Sequence, residues 1–242
     1  MEESLTKIDE EILLSNEDTL QMLDSLLDKW DKSWWDNFYS DKDRKIPFMT
    51  EKPDENLVEF VNKELITRGR SLDIGCGNGR NSIYLSSNNF NATAIDLSEE
   101  SIRIAKEYAQ KFESHVHFIN DSFFEVSFED QKFELIHDSG CLHHIKPHRR
   151  SEYLSKIDTL LSQNGYFTLT CFNLDGGANI SDYDVYKKET MAGGLGYSEK
   201  KLVKVLEQYF EVIEIRKMKD MTCGQYYGLS ICWAVTMRKR SI

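Results

Sequence analysis

The sequence predicts an α/β protein built on a doubly wound, mostly parallel sheet. Three observations lead there. From residue 70 onward, short apolar runs of strand type alternate with amphipathic helical stretches. A glycine-rich segment, Gly75-Cys-Gly-Asn-Gly79, lies between the first such run and the helix after it. An acid, Asp96, ends the second run, about one βα unit later.

Taken in order, Ser71 to Ile74 reads as a short buried strand, and Asn81 to Ser86 opens a helix. Ala92 to Asp96 is the second strand. Ser98 caps a helix running to about Lys111, since a serine oxygen can accept from a free N–H of the first turn. His115 to Ile119 and Phe133 to His137 are the third and fourth strands. Arg149 to Leu161 is helical, with Tyr153, Ile157, Leu160 and Leu161 on its apolar face. Asn164-Gly165 makes a turn into a fifth strand, Tyr166 to Phe172. Ser198 to Phe210 is a helix, and Val212 to Lys217 and Leu229 to Met237 are the last strands.

The region before residue 50 reads as a helical, aromatic extension. Leu20, Leu23, Leu27, Trp30 and Trp34 recur at steps of three and four, with Ser15 or Asn16 as the cap. Lys45 to Met49 is a turn, because Pro47 disfavours helix before it. Pro53 then opens a helix through Val61. The segment Asn173 to Tyr197, with paired glycines flanking Tyr183 and Tyr186, suits a mobile cover. The chain divides into an extension, residues 1–50, and a main domain, residues 51–242.

Composition narrows the function. The formal net charge is −11, and the one dense basic run is Arg238-Lys239-Arg240. A nucleic-acid backbone calls for a basic face, so no nucleic-acid partner is expected. The five cysteines form no CxxC pair, which reads as reduced thiols in a cytoplasmic enzyme. The N-terminus is acidic, unlike a secretory signal, and no apolar run reaches the roughly 20 residues that span a bilayer.

The loop carries the most chemistry. Its glycines do not fit the dinucleotide spacing, whose third glycine would fall at position 80, where Arg80 stands. Asp73 lies two residues before Gly75, where a carboxylate repels a pyrophosphate but suits an ammonium or sulfonium group. Asp96 stands where an acid accepts from ribose hydroxyls. A ligand with a ribose, an amino-acid moiety and positive charge fits, and S-adenosylmethionine (SAM) is such a ligand.

Asp73-Ile-Gly-Cys-Gly-Asn-Gly79 followed by Ala94-Ile-Asp96-Leu-Ser resembles the first two motifs of class I SAM-dependent methyltransferases. The resemblance runs over roughly residues 50–240. It implies a Rossmann-like fold, a seven-stranded sheet with an antiparallel last strand, SAM as cofactor and S-adenosylhomocysteine (SAH) as product. The implied cofactor residues are Asp73, Gly75, Cys76, Gly77, Asn78, Gly79, Arg80, Asp96 and Leu97, with Asn120, Asp121 and Ser122 after the third strand. Asp138 and Ser139 would lie near the methionine moiety. Gly77 to Leu85 is similar to loops of the tellurite-resistance and thiol or thiopurine methyltransferases. In those groups an aromatic N-terminal segment closes over the cofactor, and Trp35 to Tyr39 with Pro47-Phe48 resembles it. This chain has Phe48 where relatives often carry Trp, and some thirty N-terminal residues have no match.

Methyl transfer is an in-line displacement that depends on alignment and exclusion of water. Trp35, Tyr39 and Phe48 are candidates for a lid whose aromatic faces stabilise a sulfonium. His143 and His144 are candidate bases, and adjacent side chains are expected to diverge, so that one of them at most faces the site. Cys141, His143 and His144 lack the further ligands of a metal site, so no metal is expected. The acceptor is read as a small molecule, with no membrane partner. The N-terminal helix offers a face for homodimerisation. Three other readings remain: a protein or peptide methyltransferase, a non-catalytic SAM-binding module, and a nicotinamide oxidoreductase, which Asp73 and the glycine spacing oppose.

Overall fold

The computed structural model describes residues 12–27, 31–41, 48–221 and 224–240. The expectations placed on Trp30, Lys45 to Pro47, Cys223 and the first eleven residues lie outside them. Seven strands form one sheet in the order β3-β2-β1-β4-β5-β7-β6. They are β1 (Arg70–Ile74), β2 (Asn91–Asp96), β3 (Val116–Asn120), β4 (Phe133–Ser139), β5 (Leu161–Phe172), β6 (Phe210–Lys217) and β7 (Cys232–Lys239). Neighbours from β3 to β5 pair in parallel, and β7 runs antiparallel between β5 and β6.

Two helices precede the sheet domain, α1 (Asn16–Ser25) and α2 (Lys32–Ser40). Then come α3 (Glu55–Asn62), α4 (Arg80–Ser87), α5 (Glu99–Lys111), α6 (Arg150–Leu160), α7 (Asp182–Lys187) and α8 (Glu199–Leu206). Alternating side chains of each strand feed opposite faces. Leu135 packs with Leu57, Phe60 and Val61 of α3 and Leu85 of α4. Its neighbour Ile136 joins Tyr153, Leu154 and Ile157 of α6 and Leu202 and Leu206 of α8. Each such side chain removed from water contributes about 1.5–3 kcal/mol.

Three boundaries depart from the sequence reading. The N-terminal periodicity predicts one continuous apolar face, but two helices form, because Asp31 starts a new one by accepting from the Trp34 N–H at 2.7 Å. Strand β5 begins at Leu161 rather than Tyr166. Leu161 pairs with Phe133 and Tyr166 with Leu135, so residues 162–165 are taken up in an irregularity. A side chain at Gly165 would meet the Phe133 carbonyl oxygen at 2.9 Å, which is why glycine follows Asn164 there. Finally, the segment read as a mobile cover is packed. Val185, Met191, Leu195 and Tyr197 are fully buried, and single bridges tie Asn173 to Tyr197 and Ala178 to Leu195.

Candidate active site

The site forms where β1, β2, β4 and β5 end. Gly75, Gly77 and Gly79 all have left-handed φ, at +64°, +53° and +77°. An L-residue there costs roughly 1–2 kcal/mol, so the glycines are backbone requirements. The loop hangs on β2: Gly75 and Cys76 donate to the Ile95 carbonyl at 2.9 and 3.1 Å. Asp96 accepts from Gly77 N–H at 2.8 Å and from Ser98 N–H at 2.9 Å, one on each oxygen. The Ser101 hydroxyl also bears on this carboxylate, which has about four acceptor positions and so keeps capacity for a further donor. Asp73, 1% exposed, accepts from the Ser82 hydroxyl at 2.5 Å, while its Oδ1 has no hydrogen-bond partner among the described residues. Burial raises both carboxyls above the ordinary carboxylate range.

Arg80 is drawn into the wall of the loop. Its buried guanidinium pairs with Asp54, donates to the Lys52 carbonyl at 3.0 Å and to Ser139 Oγ at 3.1 Å, and lies 4.8 Å from the Tyr227 ring. Burial alone would raise the Asp54 carboxyl; Arg80 beside it, with His137 and Ser139, holds it well below the usual range. Ser139 donates to Asp54 at 2.6 Å, and the Asn78 amide donates to the Thr50 carbonyl at 2.9 Å. Sequence reasoning missed Asp54, since nothing in its neighbourhood marks a partner beyond the loop. Cys76 packs with Ala94 and Ile102. Asn120 donates to the Asp96 and Leu97 carbonyls at 3.1 and 3.0 Å, and Asp121 is exposed and accepts from Ser122 N–H at 2.7 Å.

Past β4 the chain makes a single 3₁₀ turn, Leu142–His144. Asp138 braces it, accepting from Cys141 N–H at 2.7 Å, Leu142 N–H at 3.0 Å and the Tyr153 hydroxyl at 2.8 Å. Burial pushes this carboxyl up to about 6. The turn also brings the histidines together. The sequence predicts divergent side chains, yet the two rings lie 4.4 Å apart, because a 3₁₀ turn rotates successive side chains less far apart than a strand does. The His143 ring stacks on Phe172, the last residue of β5, at 3.9 Å, and its Nδ1 accepts from the Phe172 N–H at 3.2 Å. Its carbonyl accepts from Leu195 N–H at 2.8 Å. Burial lowers both imidazoles, that of His144 to about 4.

Helix α2 lies over this ground. The Tyr39 hydroxyl is 3.1 Å from where a Cβ on Gly77 would stand, and burial, with Asp96 nearby, keeps that phenol well above its ordinary pKa. The Trp35 ring meets His144 edge-on at 5.0 Å and packs with Trp34, Phe38 and Tyr39; Phe48 stacks on Phe38 at 6.1 Å. Asp36, which the sequence did not single out, holds the helix down by accepting from Ser98 Oγ at 2.8 Å and Glu100 N–H at 3.4 Å, at the start of α5. Helix α1 is fastened beside it. Asp24 accepts from His148 Nε2 at 3.0 Å and pairs with Lys146 at 3.1 Å and Arg149 at 2.7 Å, while His148 Nδ1 reaches the Tyr186 hydroxyl of α7 at 2.7 Å. Among the described residues no three of His, Cys, Asp and Glu are grouped to hold a metal, and no helix is long and apolar enough to cross a membrane.

Residues 72–165 match the family described as "Methyltransferase domain". That stretch of the chain is similar to a methyltransferase domain. The match begins on β1 and ends at the turn within β5, so the glycine loop, Asp96, Asp138 and both histidines fall inside the matched stretch, whereas Trp35, Tyr39 and Phe172 fall outside it. An "Uncharacterized methyltransferase" of Staphylococcus carnosus is 32% identical over 111 residues, which cover 46% of this chain. The chain spans about half of that relative's length, 51%. A "Probable thiol methyltransferase 2" of Arabidopsis thaliana is 24% identical, with 66% of this chain and 68% of that protein covered. Among solved structures, the 1,6-didemethyltoxoflavin-N1-methyltransferase of Burkholderia thailandensis, with bound 1,6-didemethyltoxoflavin and SAH, shares the fold of this chain. Its TM-score is 0.62 at 20% identity, with 95% of this chain and 92% of that one covered.

Proposed function

We propose that this protein is a SAM-dependent methyltransferase that modifies a small-molecule acceptor. The observation that carries the reading is the pair of buried carboxylates around a loop of three left-handed glycines. Asp73 Oδ1 is left without a donor, and Asp96 retains acceptor capacity. A buried, unpartnered carboxylate oxygen is costly unless a ligand supplies the donor, and an α-ammonium group does so. A ribose hydroxyl would complete Asp96. The residues therefore fit the cofactor, and the methyltransferase names of the relatives agree.

When bound, SAM supplies a methyl group on a sulfonium with a neutral leaving group. The chain's own residues would do the rest. Gly77 lets a ligand approach the backbone beneath Tyr39. Trp35 and Tyr39 offer aromatic surface to positive charge and exclude water. The imidazoles of His143 and His144 would face the acceptor, with Phe172 behind them. Asp121, exposed after β3, is left to meet the adenine amino group. Four free cysteines among the described residues fit a reducing compartment such as the cytoplasm.

Replacing Asp96 with Ala should weaken SAH binding by about 1–3 kcal/mol, the range for stranded hydrogen-bond partners. Titration calorimetry measures this directly. Equal affinity in the two proteins would remove the ribose assignment, and a parent protein that takes up neither SAM nor SAH would end the proposal.

A further inference from the structure

The backbone fixes the protonation of His143. The Phe172 N–H points at Nδ1 from 3.2 Å. A peptide N–H only donates, so Nδ1 must keep its lone pair. A neutral imidazole then carries its single proton on Nε2. A second proton on Nδ1 would set two donors against each other. The ring has little freedom to escape this. It is stacked on Phe172 at an interplanar angle of 18°, and its own carbonyl is held by Leu195 N–H. Gly194 presses on its other edge, where an added Cβ would lie 3.0 Å from Cδ2. Nε2 has no hydrogen-bond partner among the described residues, and it lies beside Gly140, at the end of β4.

We propose that His143 serves methyl transfer as a permanent hydrogen-bond donor through Nε2–H, and that the acceptor belongs to the class of compounds whose reacting atom arrives already without its proton. This rests on the SAM-dependent reading above. The step balances without a base. The anionic acceptor's lone pair forms the bond to the methyl carbon, and the electron pair of the S–CH₃ bond returns to sulfur. A cation and an anion give two neutral products, and no proton moves. The lowered basicity of both imidazoles agrees, since neither holds a proton readily at neutral pH. A fixed neutral donor is well matched to such an acceptor, because it stabilises negative charge there without presenting a second full positive charge to a sulfonium.

Nuclear magnetic resonance of the full chain tests the proposal. Two-bond proton–nitrogen correlations report which ring nitrogen is protonated, and loss of one set of signals in His143→Gln assigns them. The expected result is a proton on Nε2 alone, unchanged between about pH 8 and about pH 5.5, on either side of the ordinary histidine pKa. With SAH present, thiophenolate is then added as the probe anion. The Nε2–H resonance should move and saturate. Binding should be about tenfold weaker or more in His143→Phe, and largely restored in His143→Gln, whose amide N–H donates from a similar place. A proton on Nδ1, a titration within that range, or an Nε2–H indifferent to thiophenolate overturns the proposal. Calorimetry with SAH on the same sample separates the two readings. Heat with SAH but an indifferent Nε2–H overturns this inference alone, whereas no heat overturns the SAM-dependent reading itself.

Discussion

Burial lowers the His144 imidazole to about 4, against an ordinary value near 6.5. The folded state thus refuses a proton that the unfolded chain accepts. The stability this represents is complete above about pH 6.5 and is lost as pH falls toward about 4, where both states are protonated. Asp138 carries the opposite sign: with its carboxyl raised to about 6, folding binds a proton more tightly, and stability falls as pH rises from about 4 to about 6. The two effects overlap, so the wild-type profile alone does not resolve them, but a difference between variants does. His144→Phe should flatten the acid limb by up to about 3 kcal/mol, less where solvent screens the half-buried ring. Urea unfolding across that range measures it, and limbs of equal depth would show that the ring titrates normally. At this scale the sequence was informative where chemistry is local. Asp73, the three glycines and Asp96 are legible because their spacing within one βα unit reflects backbone constraint. Asp36 was not, because its partner Ser98 is 62 residues away and no short-range pattern encodes the meeting.

Helix α2 shows how little holds an element that matters. None of its residues is fully buried, and its attachments include an aromatic cluster, the carboxylate of Asp36 and a Lys32–Glu99 ion pair at 3.8 Å. Asp36→Ala removes an acceptor from the first turn of α5, an effect of about 1 kcal/mol on stability. It should speed amide exchange through residues 32–40 more than anywhere in the sheet. Unchanged exchange would mean that contacts other than Asp36 keep α2 in place. The helices that pack on the sheet were readable from apolar periodicity, since burial of one face is what that pattern records. The same periodicity predicts one N-terminal helix, because the apolar steps from Leu20 to Trp34 continue across the Asp31 cap that divides the two that form. The supposed cover between β5 and α8 misled for a related reason: paired glycines signal tight backbone approach as readily as mobility. A Cβ on Gly177 would stand 2.5 Å from the Gly196 nitrogen.

Across the whole molecule, the alternation of strands and helices makes the parallel part of the sheet legible, whereas the antiparallel β7 is what the family resemblance implies. What no pattern supplied is the buried ion pair that joins the start of α3 to the glycine loop. Arg80 and Asp54 are both almost wholly shielded from water. Arg80→Met should therefore cost about 3–5 kcal/mol, because it strands a buried carboxylate, whereas the double variant Arg80→Met/Asp54→Leu should recover most of that loss. Chemical denaturation of the three proteins checks this. Additive losses would mean that the two side chains act independently.

Asp24 binds distant stretches of chain through one carboxylate. It gathers Lys146, His148 and Arg149, and through His148 it reaches Tyr186. Residues 16–25, 146–149 and 182–187 consequently meet at one carboxylate, with the Arg149–Glu17 and Arg150–Asp182 pairs beside it, and a doorway whose bolts share one plate swings open whole rather than panel by panel. In Asp24→Asn, deuterium uptake in these three stretches should accelerate in concert, and separate rates would show that each has its own anchor.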